Sequence, residues 1–182
     1  MMPDLPYVAV WFVTAILVVA AVIDGWMLKV PNWLTFPLVL SGLTFWAVTG
    51  GLEGALWSFK GLGVGLAVLL ALYAIGGMGA GDVKLFGGVG AWVGPAVAFQ
   101  ATLWWIMVGG LMAAVMIIVS RDWRKHVVNM QTIAREVLVI RDPVKLSEVA
   151  AARKPSMMLL PYGIPIAVGS IGYFAWSGLL FP

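Results

Sequence analysis

The sequence predicts an all-α polytopic membrane protein, with about six transmembrane helices and a cytoplasmic amphipathic helix. Three observations carry that prediction. Of the 182 residues, 62% are hydrophobic and only 10% are charged, whereas a soluble domain is about half apolar and a quarter charged. The apolar residues fall in long runs, and a helix crossing a hydrocarbon core needs about 20 of them. Most of the basic residues are gathered in one segment, and that asymmetry orients the runs.

The N-terminal stretch MMPDLPYVAVWFVTAILVVAAVID lacks the basic region of a signal peptide, and its apolar part is long for one. It reads as a retained first span over Tyr7–Ile23. The second and third spans follow at Trp33–Thr49 and Ala55–Ile75. The fourth, Leu85–Pro95, is short, and Gly94-Pro95 marks a turn into the fifth, Phe99–Val119. The sixth covers Met157–Leu180.

Between spans five and six, residues 120–156 hold eight of the eleven basic residues: Arg121, Arg124, Lys125, Arg135, Arg141, Lys145, Arg153 and Lys154. The positive-inside rule makes this loop cytoplasmic. Counting back places the Gly76–Lys84 loop and the loop holding Lys29 on the same side, with both termini outside. Reading 85–119 as a single span would put the basic loop outside, which excludes it. Within the loop, Val127, Met130, Ile133, Val137 and Ile140 recur at three- and four-residue steps, the pattern of an amphipathic helix lying on the inner leaflet. It serves either as a charged connector that fixes topology or as a substrate contact. His126 within it reads as a surface residue.

With no cysteine, thiolate metal sites and cysteine nucleophiles are excluded, and a single histidine excludes a multi-histidine metal site. The net charge of +3 is modest. The expected partners are the lipid bilayer and a membrane-borne substrate rather than nucleic acid, with no cofactor and no metal.

Two of the eight acids stand apart. Asp4 and Glu53 fall in outer segments, and Asp122, Glu136, Asp142 and Glu148 in the basic loop. Asp24 closes the first span and Asp82 stands at the mouth of the fourth, both on the cytoplasmic side at similar depth. A carboxylate costs about 2.5–3.5 kcal/mol at the bilayer centre and less near the interface, so such residues face a partner or a wet cleft. Two carboxylates in one cleft cannot both ionise and share a proton. The ionised one then takes a proton from water while the protonated one polarises a peptide carbonyl, which is aspartyl proteolysis. Gly79 and Gly81, just before Asp82, let backbone approach a peptide closely. Other readings stand beside this one. Asp82 can be an N-cap, and Asp24 a stop signal paired with Lys29. The same two acids would also suit a proton-coupled transporter, or a non-catalytic scaffold that tolerates Asn at both positions.

The motifs resemble those of the type IV prepilin peptidases, GxGD aspartyl proteases of the bacterial inner membrane. GMGAGDVKL is similar to their GxGD motif. DGWMLKVPNWLT is similar to their first-aspartate motif, an Asp followed some six residues later by Ile/Val-Pro-Asn. LPYGIPIAVG resembles their Pro-Tyr/Phe-Gly element. The resemblance implies one integral membrane peptidase domain over residues 1–182, with Asp24 and Asp82 catalytic. It implies cleavage of a prepilin leader at the cytoplasmic face, the substrate having a basic leader and a hydrophobic helix, with pilus-assembly machinery as a further partner. Larger members carry paired CxxC motifs and also N-methylate the product, so a chain without cysteine is expected to be a peptidase without methyltransferase activity. The compact size resembles the CpaA/TadV branch that serves Flp-type pili. Met27-Leu28 stand where the family often has basic residues. Presenilin-like GxGD intramembrane proteases are a more distant alternative, since Ile23 precedes Asp24 where they typically have tyrosine.

Ten further residues are assigned to the substrate or to structure. Lys84 either tunes the pair, holds a headgroup or substrate carbonyl, or is a topology charge. Asn32 either donates to the cleft or caps span two. Pro161, Tyr162 and Gly163 either line the substrate groove or form a helix start with an interfacial tyrosine. Gly87, Gly88 and Gly90 are expected to permit close helix packing. Trp26 and Trp33 belong to the aromatic belt.

Overall fold

The computed structural model describes residues 5–74, 78–119 and 160–181, together with positions 128, 131, 132, 135, 136, 139, 145 and 149. Four helices are bounded within the described residues: α1 (Tyr7–Met27), α2 (Asn32–Ala74), α3 (Ala80–Val119) and α4 (Gly163–Trp176). Among the described residues none is in a strand. Tyr7–Met27, Asn32–Leu70 and Ala80–Val119 are long and apolar enough to cross a membrane. The chain is a multi-pass membrane protein.

Glycine decides the path of the two longest helices. Gly51 has φ 59° and ψ −144°, and Gly94 has φ 76° and ψ 175°. These conformations are open to glycine and strained for other residues. The chain doubles back at each. Trp46 and Trp57 have ring centroids 4.6 Å apart, whereas a straight helix would separate them by about 16 Å. Phe86 and Trp105 lie 5.9 Å apart against about 28 Å in a straight helix. α2 and α3 are therefore two hairpins, so that the four helices make six helical segments among the described residues.

Lipid supplies no hydrophobic drive to bring helices together, so close backbone approach and hydrogen bonds must do it. α2 packs on α3 through small residues. Gly61 and Gly90 face each other's backbone, and a Cβ on Gly65 would meet the Phe86 carbonyl at 2.5 Å. Gly87 sits under Leu66 and Gly88 under Leu38, with 2.7 and 2.9 Å left for a Cβ, the close packing expected of these glycines. α4 lies on α3 and α1, and Gly169 is pressed against the Trp105 backbone.

The turn at Gly94-Pro95 leaves carbonyls that the helix cannot satisfy. Ala91 would bond the N–H four residues on, but that residue is Pro95, which has none. The Ser58 hydroxyl donates to the Ala91 oxygen instead, at 2.6 Å, and the Trp46 indole N–H donates to the Trp92 oxygen at 2.9 Å.

Helix boundaries differ from the apolar runs in one respect that matters. α1 continues past Ile23 to Met27, and α3 starts at Ala80 rather than Leu85. Asp24 therefore lies in the last turn of a helix and Asp82 in the first turn of another. The proposed apolar face of the basic loop (Val127, Met130, Ile133, Val137 and Ile140) and His126 lie outside the described residues.

Candidate active site

At one end of the bundle α1 finishes and α2, α3 and α4 begin. Asp24 is 2% exposed. Its Oδ2 accepts the Gly163 N–H at 2.7 Å. That N–H belongs to the first residue of α4, one of the donors a helix leaves unpaired at its N-terminus, and the helix end favours a negative charge there. Only glycine fits at this position: a Cβ on Gly163 would stand 2.8 Å from the Asp24 Cβ and 3.0 Å from its Oδ2. The pairing of Asp24 with Lys29 entertained from the sequence does not form among the described residues. The carboxylate is turned into the bundle, towards α4.

Asp82 is 6% exposed. It is not the N-cap. It is the third residue of α3, and its Oδ2 accepts the Gly79 N–H at 3.2 Å. This is one half of a capping box, in which the N3 side chain reaches back to the capping residue. A Cβ on Gly79 would lie 2.9 Å from the same oxygen. Gly79 thus serves the aspartate directly. Gly81 packs against the Val30 carbonyl, and a larger residue would push the first and second motifs apart.

The third motif meets the first acid. Gly163 binds Asp24, while Tyr162 is half-buried against the core. Pro161 is also half-buried, and its carbonyl accepts the Ile164 N–H at 3.1 Å. Tyr162 is therefore packed against the core beside Gly163 rather than fully displayed at an interface.

Lys84 and Asn32 meet each other. The ammonium donates to Asn32 Oδ1 at 3.1 Å and lies 4.9 Å above the centroid of the Phe36 ring. Asn32 gives its side-chain oxygen to Lys84, not to its own helix. Phe36 and Val30 did not emerge from the sequence as site residues. The signal was there for Phe36, which is one helical turn beyond Asn32 and so shares its face. Val30 is the valine of the first motif's Val-Pro-Asn, but it meets Gly81 through its carbonyl, a contact that a side-chain pattern does not reveal. Trp26 and Trp33 are 86% and 65% exposed at this end, as interfacial residues would be.

Two buried carboxylates from different helices thus stand at one end of the bundle, each accepting a backbone N–H. Buried carboxylates are groups whose proton affinity is set by their surroundings, which suits them to moving protons. The model of the type IV leader peptidase family matches residues 11–118.

The chain belongs to that family.

It is a peptidase, and the likeness to type IV prepilin peptidases read from its motifs holds. The match contains Asp24, Asn32 and the whole of Gly79–Lys84, and ends before Pro161-Tyr162-Gly163. No curated protein and no solved structure matches the chain. Membership in a leader peptidase family favours hydrolysis over the transporter and scaffold readings of the same two acids.

Proposed function

We propose that this peptidase is an aspartic endopeptidase that removes the leader of a type IV prepilin, with Asp24 and Asp82 as the catalytic pair. The observation that carries the reading is the burial of two carboxylates at the same end of the bundle, Asp24 against the start of α4 and Asp82 in the first turn of α3. One carboxylate takes a proton from the attacking water. The other, protonated, donates to the scissile carbonyl and later helps the amine leave. The half-buried backbone at Gly79 and Gly81 and the Pro161–Gly163 segment would border the substrate.

The six helical segments each cross the bilayer in this reading. The basic loop faces the cytoplasm, which puts the aspartates at the cytoplasmic face of the inner membrane and the outer ends of α1 and α4 in the periplasm. Absence of cysteine accords with a compact, CpaA/TadV-like enzyme that cleaves Flp-type prepilins without methylating them.

The test is cleavage of a co-expressed Flp-type prepilin in liposomes, with chelator in every reaction. Wild type should cut, and Asp24→Asn and Asp82→Asn should not. Cutting by either variant would show that its acid is structural.

A further inference from the structure

The two aspartates sit on helices that barely meet. α1 packs mainly on α4 and only sparsely on α3, yet a shared proton demands that the carboxylates be held at a set separation. Something other than direct α1–α3 packing must fix it. One connection runs through α4, whose Gly163 N–H holds Asp24 and which also packs on α3. The other runs through the short link between α1 and α2.

That link is stiff. Leu28 takes the left-handed conformation at φ 50° and ψ 36°, Pro31 fixes its own φ, and Asn32 already belongs to α2. Asp24 therefore follows any movement of residues 28–32. The link is fastened to α3 at two points. The Val30 carbonyl rests on Gly81, and the Asn32 amide oxygen accepts the Lys84 ammonium at 3.1 Å.

Lys84 is placed for this task and not for pairing with Asp82. Two residues along a helix rotate a side chain by about 200°, so Lys84 leaves α3 on the side away from the Asp82 carboxylate. Its contacts are a neutral amide and the face of Phe36, 4.9 Å from the ring centroid. An aromatic face attracts an ammonium and helps hold it in one place. A charge needed only to set topology would have no use for two specific partners.

We propose that Lys84 and Asn32 are positioning residues: their hydrogen bond locks the link that follows Asp24 against the start of the helix carrying Asp82, and so sets the two carboxylates relative to each other. This rests on the paired-aspartate reading above. Neither residue touches the substrate.

The test is a double-mutant cycle on the purified full-length protein, with Asn32→Ala, Lys84→Met and the double variant assayed for kcat and KM on a prepilin. Each single change lowers kcat by about 10–100-fold, as misplacement of a catalytic group by about 1 Å does, with KM within about threefold of wild type. The double variant is no slower than the slower single one, because both remove the same bond. Asn32→Asp, which keeps an acceptor for the ammonium, cleaves several-fold faster than Asn32→Ala. A rise in KM alone would make Lys84 a substrate contact and overturn the proposal. Additive losses, or full activity in Lys84→Met, would overturn it as well. Asp24→Asn and Asp82→Asn run alongside: if wild type cuts and these variants cut too, the paired-aspartate reading fails, whereas silent aspartate variants with an additive cycle reject only the positioning role.

Discussion

At the end where α2 and α3 double back, Gly51 and Gly94 reverse the chain, and indoles and a hydroxyl fill the space the turns leave. Trp46 bonds the Trp92 carbonyl, Ser58 bonds the Ala91 carbonyl, and Gly94 lies against Trp57. At the other end, the helices finish or begin around carboxylates. Asp24 is held by the N-terminus of α4 and Asp82 by that of α3. Both ends must satisfy backbone groups that a helix terminus leaves open. The turn end satisfies its carbonyls with neutral donors and is thereby finished. The aspartate end satisfies N–H groups with acids, which can take up and release protons. The same bonding problem is solved with neutral donors at one end and with the two acids of the proposed catalytic pair at the other.

If that contrast holds, changes at the aspartate end should cost activity before stability, and changes at the turn end the reverse. The largest effect is expected for Asp24→Asn or Asp82→Asn. Each removes a general acid or base, for which losses of about 10²–10⁴-fold are usual, and prepilin cleavage should fall by at least the upper part of that range while the thermal midpoint in detergent stays near wild type. Gly163→Ala comes next. Its methyl group would contact Asp24 from 2.8 Å, and a displaced carboxylate should lower kcat by about 10²-fold, measured on protein that still elutes as a single species.

At the turn end, Gly94→Ala forces a side chain into φ 76° where Trp57 already stands. It should destabilise the fold by about 1–3 kcal/mol from backbone strain alone, read by thermal unfolding, with kcat per folded molecule preserved. A kcat loss larger than the stability loss would show that the two ends are coupled. The smallest effect belongs to Trp46→Phe, which leaves the Trp92 carbonyl without its indole donor. Leaving a buried acceptor unpaired costs about 1–3 kcal/mol, less than Gly94→Ala because no clash with Trp57 is added, and activity should not change.

Much of this division was legible in the residues. Composition forces a membrane protein, Gly94-Pro95 announces a turn, and two acids in apolar surroundings announce a site. Boundaries were less legible, because apolar runs record what touches lipid while helices continue into the interface. Asp24 and Asp82 therefore lie inside helices that the runs alone would have ended or begun elsewhere. Partners were not legible at all. Nothing in the pattern distinguishes Asp24 paired with Lys29 from Asp24 bound by Gly163, 139 positions away.

The sequence by itself determined the medium, the order of the apolar segments and the identity of the two acids. These follow from composition, run length and the cost of charge in lipid, which are properties of single residues and short windows. Only the tertiary structure decided that Gly163 holds Asp24, that Gly79 holds Asp82, and that Lys84 turns to Asn32 rather than to a carboxylate. Those choices depend on which helix ends meet in space. A hydrogen bond is selected by position within about an ångström, and no one-dimensional pattern carries that information.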